Sequence, residues 1–141
     1  MCNYFTNKVD FSYFNDTPCI LIFTEKIIES LNFFKTSLNF SSEEIFYPIK
    51  ANYNLSIINL LKTHGCGFEA RALSEITLLI NAGITPNQII YGNPVKSISS
   101  IQNAYHLGIK RFCADHINEI QKLAIHAPKS EIYFRLSIDN K

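Results

Sequence analysis

The segment Phe46-Tyr47-Pro48-Ile49-Lys50-Ala51-Asn52 sets a lysine directly behind an apolar run. If that run is a strand of a βα unit, Lys50 stands at its carboxyl end, the end that carries catalytic groups in α/β barrels. An amine there is ringed by strand ends and helix N-termini. Desolvation of that kind lowers an amine's pKa, the property it needs to form a Schiff base with an aldehyde. A lysine so placed can equally snorkel out of the mouth into water, and position alone does not choose. Glu69, Asn93 and Arg135 fall at equivalent places behind three other runs. A lysine, a carboxylate and an arginine on one face suit an anionic, aldehyde-bearing cofactor, although each alone is an ordinary solvated loop charge.

Other reactive side chains form weaker patterns. Cys2, Cys19, Cys66 and Cys113 are widely spread with no C-x-x-C pair, which suits reduced thiols, and the last three read as small core residues. The pairs His64-x-Cys66 and Cys113-x-x-His116 lack the second pair that a zinc site needs, and His106 and His126 add no ligand spacing, so no metal is expected. The aromatic cluster Tyr4, Phe5, Phe11, Tyr13 and Phe14 has no basic interleaving, which favours packing or an edge strand over base stacking.

The elements that must position these residues follow from periodicity. Short runs rich in Ile, Tyr and Phe predict strands at 19–23, 44–49, 66–70, 88–91, 109–113 and 131–135. Stretches of helical period lie between them at 25–38, 54–63, 74–82, 97–107 and 116–126. In the first helix Ile27, Ile28, Leu31, Phe34 and Leu38 form the stripe expected to face a sheet. Asn54, Ser74, Ser97 and Asp115 are candidate N-caps, and Gly65, Gly83 and Gly108 candidate left-handed C-caps.

Successive strand ends at Lys50, Glu69, Gly92, Ala114 and Arg135 are separated by 19, 23, 22 and 21 residues, about one βα unit each. Repeated βα units predict an α/β fold with a parallel sheet, and point to a TIM-type (β/α) barrel more than to a doubly wound sheet, without separating the two. A full barrel typically needs about 250 residues, so 141 residues predict a partial barrel of about five units with two unpaired edges. The expectation is a fragment, a truncated product, or a half completed by a partner chain, prone to self-association through its open edges. Residues 1–16 read as an N-terminal arm or edge strand and 17–141 as the incomplete barrel.

Composition excludes several classes. With 13 Lys and Arg against 12 Asp and Glu and a net charge of +1, there is no general electrostatic basis for binding nucleic acid or an anionic membrane. The longest apolar runs are too short to cross a bilayer, and the first residues lack a basic region followed by an apolar stretch, so neither a span nor a signal peptide is expected. The expected location is the cytoplasm.

Four ordered segments carry a family resemblance. Residues 17–23 (Thr-Pro-Cys-Ile-Leu-Ile-Phe), 46–52, 65–75 (Gly-Cys-Gly-Phe-Glu-Ala-Arg-Ala-Leu-Ser-Glu) and 89–96 (Ile-Ile-Tyr-Gly-Asn-Pro-Val-Lys) resemble successive signatures of the alanine-racemase-fold, pyridoxal-phosphate-dependent decarboxylases of ornithine, lysine, diaminopimelate and arginine. The likeness runs from about Thr17 to Asp139. It implies that Lys50 holds pyridoxal 5'-phosphate as an internal aldimine, that Glu69 and Arg135 lie beside the cofactor, and that Glu75 matches a family glutamate. Asn93-Pro94-x-Lys96 is similar to the ornithine and lysine branch, which implies a small basic amino acid as substrate. The family's chemistry is electron-sink decarboxylation.

The sequence departs from the family at Pro48, where a small residue is usual and where proline predicts a distorted ladder. It departs again at Arg71, which is expected to pair with Glu69 and change the charge of the site. The ring-stacking histidine, the glycine-rich phosphate loop, the acidic partner of the pyridine nitrogen and the C-terminal β-domain are all implied to lie beyond residue 141. The family builds its sites across a homodimer, so the resemblance implies that this chain alone is inactive and needs such a dimer or a complementing C-terminal chain. Two other readings stay open: a non-catalytic relative that binds a partner, and a racemase of the same fold.

Overall fold

Each run of branched and aromatic residues becomes a strand, and each stretch of helical period behind it returns the chain to the next strand. The computed structural model describes residues 18, 20–39 and 45–138. After helix α1 (Thr24–Leu38) come β1 (Phe46–Pro48), α2 (Leu55–Thr63), β2 (Gly67–Ala70), α3 (Leu73–Asn81), β3 (Ile89–Tyr91), α4 (Ile98–His106), β4 (Arg111–Ala114), α5 (Ile117–His126) and β5 (Glu131–Phe134). The strands form one parallel sheet in the order β1-β2-β3-β4-β5. A doubly wound sheet reverses direction at a switch point, whereas here every strand lies beside its sequence neighbour, as in a barrel. The open choice between the two is thereby settled as a five-stranded part of a TIM-type barrel.

Alternation along the strands sorts residues between two faces. Phe68, Ala70, Ile89, Tyr91, Phe112 and Ala114 are buried with Ile58 and Leu61 of α2, Ile76 and Leu79 of α3, Ile101 and Ala104 of α4, and Leu123 of α5. Enclosing one such large apolar side chain is worth about 1.5–3 kcal/mol, so this layer of helices against sheet holds the fold together. Their strand neighbours Glu69, Ile90, Arg111 and Cys113 point to the opposite face, where the candidate polar residues gather.

Several expectations are corrected. No strand forms over residues 20–23, and Ile20 is 90% exposed; Cys19 lies outside the described residues. An apolar run becomes a strand only where a neighbouring edge supplies ladder partners. Instead, an apolar cavity of about 620 Å³ lies between α1 and β1, lined by Ile27, Leu31, Phe34, Phe46, Tyr47 and Cys66 among others. In α1 only Leu31 is buried, while Phe34 and Leu38 stay exposed, so the expected stripe borders this cavity rather than a closed sheet.

The strand expected at 44–49 is shorter. Pro48 is its last residue, and Lys50 sits on a single 3-10 turn over Ile49–Ala51. Asn54 and Ser97 cap α2 and α4 as expected, accepting from the amides of Ser56 and Ser100. Ser74 and Asp115 do not cap. The carboxylate of Glu75 accepts the Arg71 amide ahead of α3, and His116 Nδ1 accepts the Asn118 amide in α5. Gly65, Gly83 and Gly108 take the left-handed conformation, with φ of 79°, 75° and 91°. The arm assigned to residues 1–16 lies outside the described residues, and no described helix is long and apolar enough to cross a membrane.

Candidate cofactor site

The carboxyl ends of the strands surround a cavity of about 430 Å³ lined by Lys50, Glu69, Arg71, Ile90, Gly92, Cys113, Tyr133 and Arg135. Lys50, Glu69 and Arg135, separated by up to 85 positions in sequence, are thus brought to one place by the sequential strand order. Asn93 does not line the cavity; its side chain turns back to accept the Val95 amide at 3.3 Å.

Lys50 is held from below. Ile49 is completely buried, and the Asn52 amide closes the turn onto the Ile49 carbonyl at 3.1 Å. The Asn52 side chain accepts the Asn54 amide, and Asn54 caps α2, so short hydrogen bonds run without a gap from the lysine turn into the helix. The lysine side chain itself is exposed, and among the described residues its ammonium has no hydrogen-bond or ion-pair partner. The burial expected for this amine is therefore not supplied by the described residues.

Glu69 rests on Gly92. A Cβ added at Gly92 would overlap the Glu69 Cγ and carboxylate, so this close approach requires glycine, and the Gly92 amide bonds the Ala70 carbonyl at 2.8 Å. Arg135 is tied by its amide to the Ala114 carbonyl at 2.8 Å. Burial pushes the Cys113 thiol up, against opposing fields from Arg135 and Lys96. The expected Arg71–Glu69 pair does not form. The Arg71 amide is bound by Glu75, whose other oxygen accepts from the Tyr53 hydroxyl at 2.7 Å. That bond, with smaller contributions from burial and the charge of Glu75, raises the Tyr53 phenol.

Behind the cavity lies a cluster that sequence reasoning missed. Lys96 is buried with a wholly enclosed side chain, and its ammonium is 2.9 Å from Glu119 Oε1. It also donates to the carbonyls of Asn93 at 2.8 Å and Cys113 at 2.7 Å. Glu119 further accepts the Lys96 amide at 3.1 Å and the Lys122 ammonium at 2.6 Å. Burial lowers Lys96, and its hydrogen bond to and attraction for Glu119 only partly offset this. Burial alone would raise Glu119, but the hydrogen bonds from Lys122 and Lys96 outweigh it and hold the carboxyl below its ordinary range. The available signal was Glu119 itself, a carboxylate on the sheet-facing stripe of α5 beside Ile120 and Leu123.

The donor set fits an anionic aldehyde. Among the described residues the Lys50 amine has no partner, and Lys50, Arg71 and Arg135 outnumber the one carboxylate, Glu69, around the cavity.

Comparison with known proteins agrees with this chemistry. Residues 24–141 match the family model described as pyridoxal-dependent decarboxylase, pyridoxal binding domain. Ornithine decarboxylase of Caenorhabditis elegans is 32% identical over 126 residues, covering 89% of this chain and 29% of that protein. Antizyme inhibitor 2 of Xenopus laevis is 32% identical over 95 residues, covering 67% of this chain and 21% of that protein. The crystal structure of lysine decarboxylase from Selenomonas ruminantium superposes with a TM-score of 0.74 at 30% identity, covering 84% of this chain and 31% of that one. The chain thus spans between a fifth and a third of the length of these proteins.

Proposed function

The chain belongs to the pyridoxal-dependent decarboxylase family, and from that membership we propose that it supplies the lysine side of the cofactor site in a decarboxylase of a small basic amino acid, ornithine or lysine. The observation that carries this reading is the Lys50 amine, without a partner among the described residues, on a cavity where cations outnumber carboxylates. When bound, the pyridoxal group supplies an electron sink for the carbanion left as CO₂ departs.

The chain's own residues would do the rest as follows. Lys50 would hold the cofactor through Nζ, and a proton would be held or passed at that same nitrogen. Arg135 and Arg71 offset the negative charge of cofactor and substrate, and their guanidinium groups are suited to holding an anion by paired hydrogen bonds. Glu69, seated on Gly92, presents a carboxylate that would help to orient the cofactor. Ile90 and Tyr133 would give the cofactor apolar surface to pack against. Substrate selection and a homodimer or a complementing C-terminal chain belong to the same proposal, supported by relatives three to five times longer than the matched region.

The test is the intact mass of the protein after incubation with pyridoxal phosphate and borohydride reduction, with Lys50→Ala as control. A single pyridoxyl-phosphate adduct that disappears in the control is expected. An adduct that survives Lys50→Ala, or none in the unaltered protein, overturns the assignment; release of CO₂ from ornithine or lysine then tests the substrate. A second reading, a non-catalytic partner-binding role, is favoured by the 32% identity to a relative named as an inhibitor. Cofactor attachment without CO₂ release in the complete protein is its expected result.

A further inference from the structure

Lys96 does not line the cavity, yet its ammonium uses all three N–H bonds there: on Glu119, on the Asn93 carbonyl and on the Cys113 carbonyl. The two carbonyls stand at the carboxyl ends of neighbouring strands. Cys113 is itself a wall of the cavity, and Asn93 follows Gly92, the residue that carries the Glu69 side chain. Glu119 holds the same loop a second time through the Lys96 amide, and Lys122 a third time by donating to the Lys96 carbonyl at 2.6 Å.

From these contacts we infer that Lys96 is a positioning residue: it ties the ends of β3 and β4 together behind the cavity and so sets where Gly92, with Glu69 on it, and Cys113 stand. Its effect on cofactor binding rests on the reading of the cavity given above; its effect on the cavity wall does not. A carbonyl released by loss of Lys96 would face a buried space with no donor in place, so the wall must move to recover one. Lys122, outside this shell and partly exposed, cannot substitute, because its nitrogen is already engaged with Glu119 and the Lys96 carbonyl.

Iodoacetamide labelling of the full chain, quantified cysteine by cysteine, reads the wall directly. Cys113 lines the cavity, while buried Cys66 lies at the other end of the strands, just ahead of β2, and reports general loosening. In Lys96→Met, Cys113 labelling is expected to speed up about tenfold while Cys66 stays within about twofold, because the opening is local. Losing the Lys96 charge would by itself make the Cys113 thiol less acidic and slower, so acceleration can come only from access. Lys122→Met removes only the partly exposed ties to Glu119 and the Lys96 carbonyl and leaves the Asn93 and Cys113 ties in place, so both cysteines are expected to stay within about twofold. Borohydride-trapped labelling of Lys50 in Lys96→Met should need about tenfold more pyridoxal phosphate.

Parallel acceleration of both cysteines, or no change at Cys113, overturns the inference. If Lys96→Met does not fold, Lys96→Arg replaces it under the same criterion, since a planar guanidinium cannot reproduce the three-way geometry. If the unaltered protein takes no label at Lys50, the cofactor reading fails, while the ratio of the two cysteines still decides the role of Lys96.

Discussion

Replacing Glu119 by alanine removes the common acceptor of two lysines whose surroundings differ. Lys96 has a side chain with 0% exposure and keeps only carbonyl partners, so it is left as a buried charge without a counter-ion. Breaking a buried pair in this way costs about 3–5 kcal/mol. The Lys122 side chain is 31% exposed, and its half of the network is worth about 0.2–1 kcal/mol. Against a domain stability of about 5–15 kcal/mol, the first loss is large and the second is not. With a urea dependence of about 2 kcal/mol per M, Glu119→Ala should lower the unfolding midpoint by about 2 M and Lys122→Met by under about 0.5 M. Lys96→Met with Glu119→Leu spares the desolvation of both ions but releases the Asn93 and Cys113 carbonyls and the Lys96 amide, so it should recover only part of the loss.

The pH dependence has a defined sign. Glu119 is held below its ordinary value of 4.5 in the folded chain, so its contribution is complete above that value and is lost as pH falls through the lower, folded one. Lys96 is lowered from 10.5, so the penalty for keeping it charged is present at neutral pH and is relieved as pH rises toward that value. Urea midpoints followed by far-UV circular dichroism from acid to neutral pH should show an acid limb that flattens in Glu119→Gln. A shift below about 0.5 M in Glu119→Ala, or a double variant no more stable than that single one, would refute the claim that the pair is buried and coupled.

Two further substitutions probe the mouth. Gly92→Ala puts a Cβ onto the Glu69 carboxylate and should displace it into the cavity, at about 1–3 kcal/mol of stability in urea unfolding and with a clear loss of borohydride-trapped pyridoxal at Lys50. Tyr53→Phe removes the hydroxyl that Glu75 accepts while leaving the Arg71 amide bond in place. It should leave the urea midpoint nearly unchanged and remove one phenol from the part of the absorbance that titrates above the ordinary tyrosine value, since hydrogen bonding to Glu75 raises that phenol.

What the sequence by itself determined is the βα alternation and the spacing of its strand ends. Both depend on local chemistry: branched and aromatic runs that make strands, polar caps such as Asn54 and Ser97, and glycines at the helix ends. Lys50, Glu69 and Arg135 were legible because the carboxyl ends of parallel strands share one rim, although Asn93, read by the same rule, turns away to the Val95 amide. Residues 20–23 have the composition of a strand yet form none, because a strand exists only against a partner edge, which local sequence does not encode. Ser74 and Asp115 look like caps, but Glu75 and His116 reach the amides that bond side chains at those helix starts. Arg71 and Glu69 lie two positions apart and still do not pair; Glu69 rests instead on Gly92 from the neighbouring strand. The tertiary structure alone decided that Lys96 and Glu119, 23 positions apart, share one enclosed space. An ion pair of that kind depends on two strand ends and a helix start meeting, and no periodicity within any single element carries that information.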